Sequence, residues 1–147
     1  MEIKFNTATT QRPEGVRVVD APLVSIDLYS FIEQIKKEKK WKETDRNAIT
    51  VFKTNGLRIV LIALRKGAEM IKHATDGLIS VQVIEGKMLC NTDLQSVKLS
   101  KGQMLALHDG IPHSLVAKKK TIFLLTLTTT MAENSNGGAA YYKNLIF

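Results

Sequence analysis

The chain has 147 residues, of which 44% are hydrophobic and 24% charged, with 9 glycines. At roughly 150 residues per domain this is one folded unit, and the composition excludes a collagen, a coiled coil and a disordered chain. The formal net charge is +7, from 21 Lys and Arg against 14 Asp and Glu. The longest unbroken apolar run, Ile59 to Leu64, falls far short of the roughly 20 residues a membrane span needs.

Residues 1–46 read as an irregular arm followed by one helix. Pro13, Gly15 and Pro22 break the arm, and Val16, Val18 and Val19 offer a short edge strand. Ser25 has the chemistry of an N-cap. Behind it Leu28, Phe31, Ile32 and Ile35 recur at three- and four-residue steps. That spacing predicts one amphipathic helix running to about Lys39.

From Asn47 the period changes. Residues 47–130 are expected to form an all-β domain. Ala48 to Lys53 and Leu57 to Arg65 flank Asn55-Gly56, a two-residue hairpin signal because both residues tolerate positive φ. Further strands are predicted at Met70 to His73, Ile79 to Ile84, Lys87 to Asn91, Ser96 to Leu99, Met104 to Leu107, Ser114 to Ala117 and Thr121 to Thr128. Asp76-Gly77, Glu85-Gly86, Lys101-Gly102 and Asp109-Gly110 separate them. Short strands at this spacing describe a sandwich or barrel. Ile59 to Leu64 and Ile122 to Leu125 are apolar on both faces, so the face turned away from the interior needs a cover. The helix or a second subunit would supply it, and a homodimer is expected. Residues 131–140 have linker composition, and Tyr141 to Phe147 is apolar. The segment 131–147 is expected to dock as a tail on the barrel or on a partner subunit.

The cations gather at Lys36 to Lys42 and Lys118 to Lys120. Glu38 and Glu43 are interleaved with the first group at helical spacing, and no nucleic-acid-binding pattern accompanies either. They read as solvated surface, with no nucleic acid and no membrane as partner. The start of the chain lacks a secretory pattern, and the single cysteine, Cys90, reads as a packed thiol. Both favour a reducing, cytoplasmic setting.

The histidines fall in two segments. One runs Gly67, five residues, His73-Ala-Thr75, then Ile79 and Gly86; the other runs Gly102, five residues, His108-Asp-Gly110-Ile-Pro-His113. Over about residues 48–128 this pattern resembles the cupins, specifically small single-domain members of the RmlC-like jelly-roll superfamily. The resemblance implies a double-stranded jelly-roll barrel behind the N-terminal amphipathic helix. It also implies a pocket in which metal-binding relatives place three His and one Glu. Here His73 matches the first His and His113 the last. Thr75 stands at the second His and Ile79 at the Glu, while His108 replaces a proline and Ala117 an asparagine. The metal motif is therefore degenerate.

A hydroxyl at Thr75 is a poor replacement for imidazole, and Ile79 offers no donor, whereas catalytic metal sites normally keep three protein ligands. Glu69 shares strand parity with His73 but lies four residues away, about 13 Å along an extended chain. Asp76 has the wrong parity unless its turn redirects it. His108 is expected at the barrel mouth, pointing elsewhere. The pocket is thus read as His73, Thr75, Ile79 and His113, holding a small-molecule ligand through neutral imidazoles. No catalytic residue or cofactor is assigned. The alternative is a metal-dependent enzyme of oxygenase or isomerase type, with His73, His113 and an unidentified third ligand on Zn, Fe, Mn or Ni. Metal-free acid/base catalysis, as in epimerases of the wider superfamily, would need a tyrosine from outside the strands: Tyr29, Tyr141 or Tyr142.

Overall fold

The Asn55-Gly56 signal works as its chemistry requires. In the structure, a computed structural model that describes residues 2–7, 9, 12 and 16–129, Gly56 sits at φ +87°. It joins two antiparallel strands, β3 (Arg46–Thr54) and β4 (Leu57–Leu64), which pair from Thr54↔Leu57 back to Arg46↔Leu64. Ahead of them lie β1 (Lys4–Asn6), β2 (Arg17–Asp20), α1 (Leu28–Lys37) and α2 (Lys39–Glu43). After them come β5 (Glu69–His73), β6 (Ile79–Glu85), β7 (Lys87–Thr92), β8 (Ser96–Ser100), β9 (Met104–Leu107), β10 (His113–Ala117) and β11 (Thr121–Thr128). Every strand predicted from Asn47 onward is present within two residues. The expected tail falls outside the described residues.

The strands form a five-stranded sheet, β3-β4-β11-β6-β9, and a four-stranded sheet, β5-β10-β7-β8, with β1-β2 as a separate ribbon. One apolar cluster joins the larger two. Val60, Ile62, Val81, Phe123 and Leu125 from the five-stranded sheet are buried with Met70, Met88, Cys90, Leu99 and Leu115 from the four-stranded sheet. The alternate residues of β4 point the other way. Leu61 and Ala63 join Ile49, Val51 and Ile122 in a second cluster, closed by Ile32 and Ile35 of α1 and Trp41 of α2. This explains the uninterrupted apolar run of β4: it is buried on both faces. The helices supply the cover, so this packing no longer calls for a second subunit. Each such side chain contributes about 1.5–3 kcal/mol by leaving water.

The helix itself departs from the sequence expectation at both ends. The cap is Asp27, not Ser25; its carboxylate accepts from the Ser30 amide at 3.3 Å. The helix stops at Lys37 because Glu38 turns to extended backbone, φ −70° and ψ 146°, before α2 begins. Its carboxylate is engaged by the arm, by β3 and by α1 itself. Arg12 of the arm donates to it from Nε at 2.8 Å and Nη2 at 2.9 Å, Asn47 Nδ2 at 2.9 Å and Gln34 Nε2 at 3.2 Å. Arg12 also donates to the Ala48 carbonyl, and Arg17 Nε to the Thr50 carbonyl at 3.1 Å. β3 is an edge strand, and the arm's two arginines occupy carbonyls along it, which blunts a surface otherwise open to strand pairing. Trp41 lies buried with the Arg65 guanidinium 4.3 Å above its ring. Among the described residues no helix is long and apolar enough to cross a membrane.

Candidate ligand site

β5 ends at His73 and β10 begins at His113, and the two are direct partners across antiparallel strands. Their ring centroids are 4.5 Å apart with planes inclined by 52°. Strict alternation along β5 would not put His73 there. Met70 is in the interior cluster, so His73, three residues on, should face outward. The register supplies the correction: Leu115 pairs Met70 while His113 pairs His73, so three steps on β5 match two on β10. This bulge inserts one residue and turns His73 inward beside His113. It also overturns the parity argument for Glu69, which pairs Val116 and is exposed while Met70 beside it is buried. Glu69 is on the other face of the sheet.

Each imidazole is held by its own chain two residues back. His73 Nδ1 donates to the Ile71 carbonyl at 2.7 Å, and His113 Nδ1 to the Ile111 carbonyl at 2.9 Å. A carbonyl only accepts, so in both rings Nδ1 carries the proton and Nε2 of the neutral ring is an acceptor. The repeated triplets Ile71-Lys72-His73 and Ile111-Pro112-His113 carry this arrangement, a signal present in the sequence but outside the motif reading. His113 is 1% exposed. Burial pushes its pKa below the ordinary histidine value; the Ile111 carbonyl opposes this and the neighbouring His73 adds to it. His113 is therefore neutral at pH 7. His73 Nε2 is buried and, among the described residues, has no hydrogen-bond partner.

The other predicted site residues are placed differently. Thr75 is buried, but it lies in the loop after β5, and its hydroxyl donates to the Gly77 carbonyl at 3.0 Å. That bond helps to fix the loop. Its carbonyl accepts from the Gly110 amide at 2.7 Å, which ties the loop leaving His73 to the loop entering His113. Ile79 is 3% exposed in the interior cluster and pairs Leu107, an apolar neighbour of the same cluster. His108 and Asp76 are exposed, and Ala117 is packed in the core. Thr92, which the motif reading passed over, pairs His113 from the other side, and its hydroxyl donates to the Gln95 carbonyl at 3.1 Å. Cys90 is buried, and burial raises its thiol pKa.

The site offers two imidazole nitrogens to a metal. Their Nδ1 protons are anchored as metal-bound histidines require, but two donors are one fewer than a catalytic centre normally keeps. Among the described residues no group of three His, Cys, Asp or Glu is placed to hold an ion. Thr75 is committed to Gly77, Ile79 is apolar and Glu69 is on the far face. Among the described residues the donor set does not fit a resident metal.

The two facing antiparallel sheets have the fold of solved cupin proteins. The particular relatives are distant. A cupin-2 domain containing protein from Shewanella frigidimarina superposes with a TM-score of 0.58 at 16% identity, over 70% of this chain and 93% of that one. A conserved protein of unknown function from Streptococcus pyogenes gives 0.57 at 27% identity, over 60% and 78%. Salicylate 1,2-dioxygenase from Pseudaminobacter salicylatoxidans gives 0.52 at 25% identity, over 57% of this chain and 26% of that one. No protein-family model matches the sequence, and no curated protein matches it. Structures of this fold thus include an enzyme and a protein of unknown function.

Proposed function

We infer that this chain is a small-molecule-binding protein whose jelly-roll barrel holds its ligand against His73 and His113. The observation that carries this is the buried Nε2 of His73, without a hydrogen-bond partner among the described residues, beside the ring of His113. A buried acceptor left unpaired costs about 1–3 kcal/mol, and a ligand that supplies a donor recovers it. An acceptor Nε2 on each ring, in an apolar setting, selects ligands that bring O–H or N–H donors. The two acceptors disfavour anions, because protonating His113 to meet one works against its desolvation. Ile79 and Leu107 supply apolar wall, and Thr75 holds the rim. A cytoplasmic setting accords with the lone buried thiol of Cys90.

The test is a thermal-shift screen of small phenols, alcohols and amines against wild type and a His73→Phe variant. A ligand at 100 times its Kd adds about 2.7 kcal/mol of stability. The reading expects hits among donor-bearing compounds that are lost in the variant. Hits confined to carboxylates, or hits indifferent to His73, overturn it. The anchored Nδ1 atoms also favour a second reading, a metal-dependent enzyme whose third ligand is not a protein group among those described. Elemental analysis of protein purified without chelator decides between the two: near one metal per chain, lost in His73→Ala/His113→Ala, establishes the second reading.

A further inference from the structure

Four turns close the end of the two sheets opposite the histidine pair. They are 65–68 between β4 and β5, 85–87 between β6 and β7, 100–103 between β8 and β9, and 117–121 between β10 and β11. Each crosses from one sheet to the other, so they lie side by side in the order of the four-stranded sheet, β5-β10-β7-β8. Backbone contacts hold the neighbours together. The Gly67 amide donates to the Ala117 carbonyl at 2.8 Å and the Lys118 amide to the Lys87 carbonyl at 2.8 Å, while Lys87 pairs Ser100 beside Lys101. A Cβ on Gly86 would stand 2.2 Å from the Lys120 carbonyl oxygen.

Every one of these turns carries lysine. In spatial order they are Lys66, then Lys118 to Lys120, then Lys87, then Lys101. Lys87 is half-buried and the other five are exposed. Neighbouring strands lie about 4.7–4.9 Å apart, so the turns set these cations along a row of about 14–15 Å. Among the described residues none of the six forms an ion pair. Of the carboxylates at this end, Glu85 pairs with Lys36 at 3.1 Å, Glu43 with Lys39 at 3.8 Å and Asp45 with Arg46 at 2.8 Å. Glu69 stands on the outer face of β5, at one end of the row. The opposite end has the other sign: Asp76, Asp93 and Asp109 are exposed in the loops around the histidine pair. Along the chain Lys66, Lys87 and Lys101 are scattered surface residues, and only the strand order brings them into line with Lys118 to Lys120.

We propose that this lysine row docks on the phosphate backbone of a double-stranded nucleic acid, without reading its sequence. A row of cations matches a linear polyanion, whereas a bilayer presents its charge as a plane. The four turns hold no aromatic side chain, and their alanines, Ala68 and Ala117, are buried. Single-strand binding relies on aromatic platforms for the bases, and interfacial membrane binding relies on apolar side chains that enter the bilayer. Neither is present on these turns. Lysine meets phosphate as a point charge on a flexible stem, which suits contact with a backbone and gives no base readout. In this orientation the aspartate-bearing loops and the histidine pair face away from the phosphates, and the ligand site stays open. The proposal goes beyond the ligand reading and does not depend on it.

Fluorescence anisotropy of the full chain with short DNA and RNA duplexes of mixed sequence tests this. With one phosphate met by each turn, affinity should fall roughly 100-fold between about 50 and 200 mM salt. Lys66→Ser/Lys101→Ser removes two of the four turns from the row and should cut that fall to roughly 10-fold. Lys118→Glu/Lys120→Glu reverses two charges at the centre and should abolish binding at the lower salt. These two variants lie on separate turns, so a folding defect in one leaves the other to decide. Lys4→Ser/Lys53→Ser removes as much charge from β1 and the far end of β3, and should bind as wild type does. Duplexes of unrelated sequence should bind alike. Binding to neither duplex at low salt, a salt dependence indifferent to the row, an equal loss in Lys4→Ser/Lys53→Ser, or a strong preference for one sequence each overturn the proposal. Capture by phosphatidylserine vesicles without binding to either duplex also overturns it and makes the partner a membrane.

Discussion

Replacing Glu38 by Gln tests how the arm, the helices and the β3 edge are held as one. The Glu38 carboxylate accepts four hydrogen bonds, two from Arg12, one from Asn47 and one from Gln34. The Arg12 and Glu38 side chains are only 17% and 11% exposed. Burial alone would raise the Glu38 pKa, but the bonds from Arg12, Asn47 and Gln34 together outweigh it and hold it below the ordinary glutamate value. Gln keeps the shape, removes the charge and turns an amide donor toward groups that are themselves donors. Breaking a buried ion pair by removing one partner costs about 3–5 kcal/mol. Arg12 lies on an arm and can swing into water, and Asn47 Nδ2 keeps its bond to the Ile35 carbonyl at 3.1 Å. We therefore expect a loss of about 2–3 kcal/mol, which for a domain of this size lowers Tm by roughly 6–12 °C.

Urea and thermal melts of wild type, Arg12→Ala, Glu38→Gln and the double variant give the coupling directly. Residues sharing a hydrogen-bonded network should show an interaction of at least about 0.5 kcal/mol. The pH dependence provides a separate check. The native pKa is depressed, so the stabilisation is fully present above the unfolded glutamate value of about 4.3 and is lost as pH falls through the lower native value. The gap between wild type and Glu38→Gln should close in that acid window. A loss below about 0.5 kcal/mol, additive singles, or a gap unchanged through acid pH would refute the reasoning.

Three further outcomes follow from the structure. Gly77→Ala places a Cβ 1.5 Å from the Thr128 carbonyl oxygen, a backbone atom, whereas Gly102→Ala meets nothing within 4 Å and bears only its φ of +84°. Chemical denaturation should show Gly77→Ala as the costlier change, against about 1–2 kcal/mol for Gly102→Ala; the reverse order would refute the close approach. The native pKa of His113 is lowered, so the unfolded chain binds the proton first, and stability should fall as pH drops below about 6.5 toward the native value. A His113→Gln variant should lack that fall when unfolding is followed from pH 8 to pH 5. Cys90 should resist a thiol reagent in the native state and react once urea unfolds the chain, because its thiol is buried and its pKa raised.

The strands were legible because their signals are local. Asn55-Gly56 demands positive φ wherever it occurs, and the glycines at 86, 102 and 110 mark turns at φ of +94°, +84° and +74°. The histidine pair was legible too, since His73 and His113 stand at matching places in two recurring motifs. The helix cap was misplaced by two residues because Ser25 and Asp27 carry equivalent capping chemistry, and the choice depends on where α1 must lie over Leu61 and Ala63. Glu38 read as a surface partner for lysines. Its engagement with Arg12 needs residues 26 positions apart to meet, and no periodicity encodes that.

By itself the sequence determined the period of each segment, the turns between them and the two imidazoles, because backbone preference and hydrophobic alternation act within a few residues. Tertiary structure alone decided which way those groups point. The bulge opposite His113 and Leu115 turns His73 inward, sends Glu69 to the outer face and leaves Thr75 bound to Gly77. A single inserted residue reverses strand parity, and whether it is inserted depends on the register with a strand about forty residues away, not on the residues of β5 themselves.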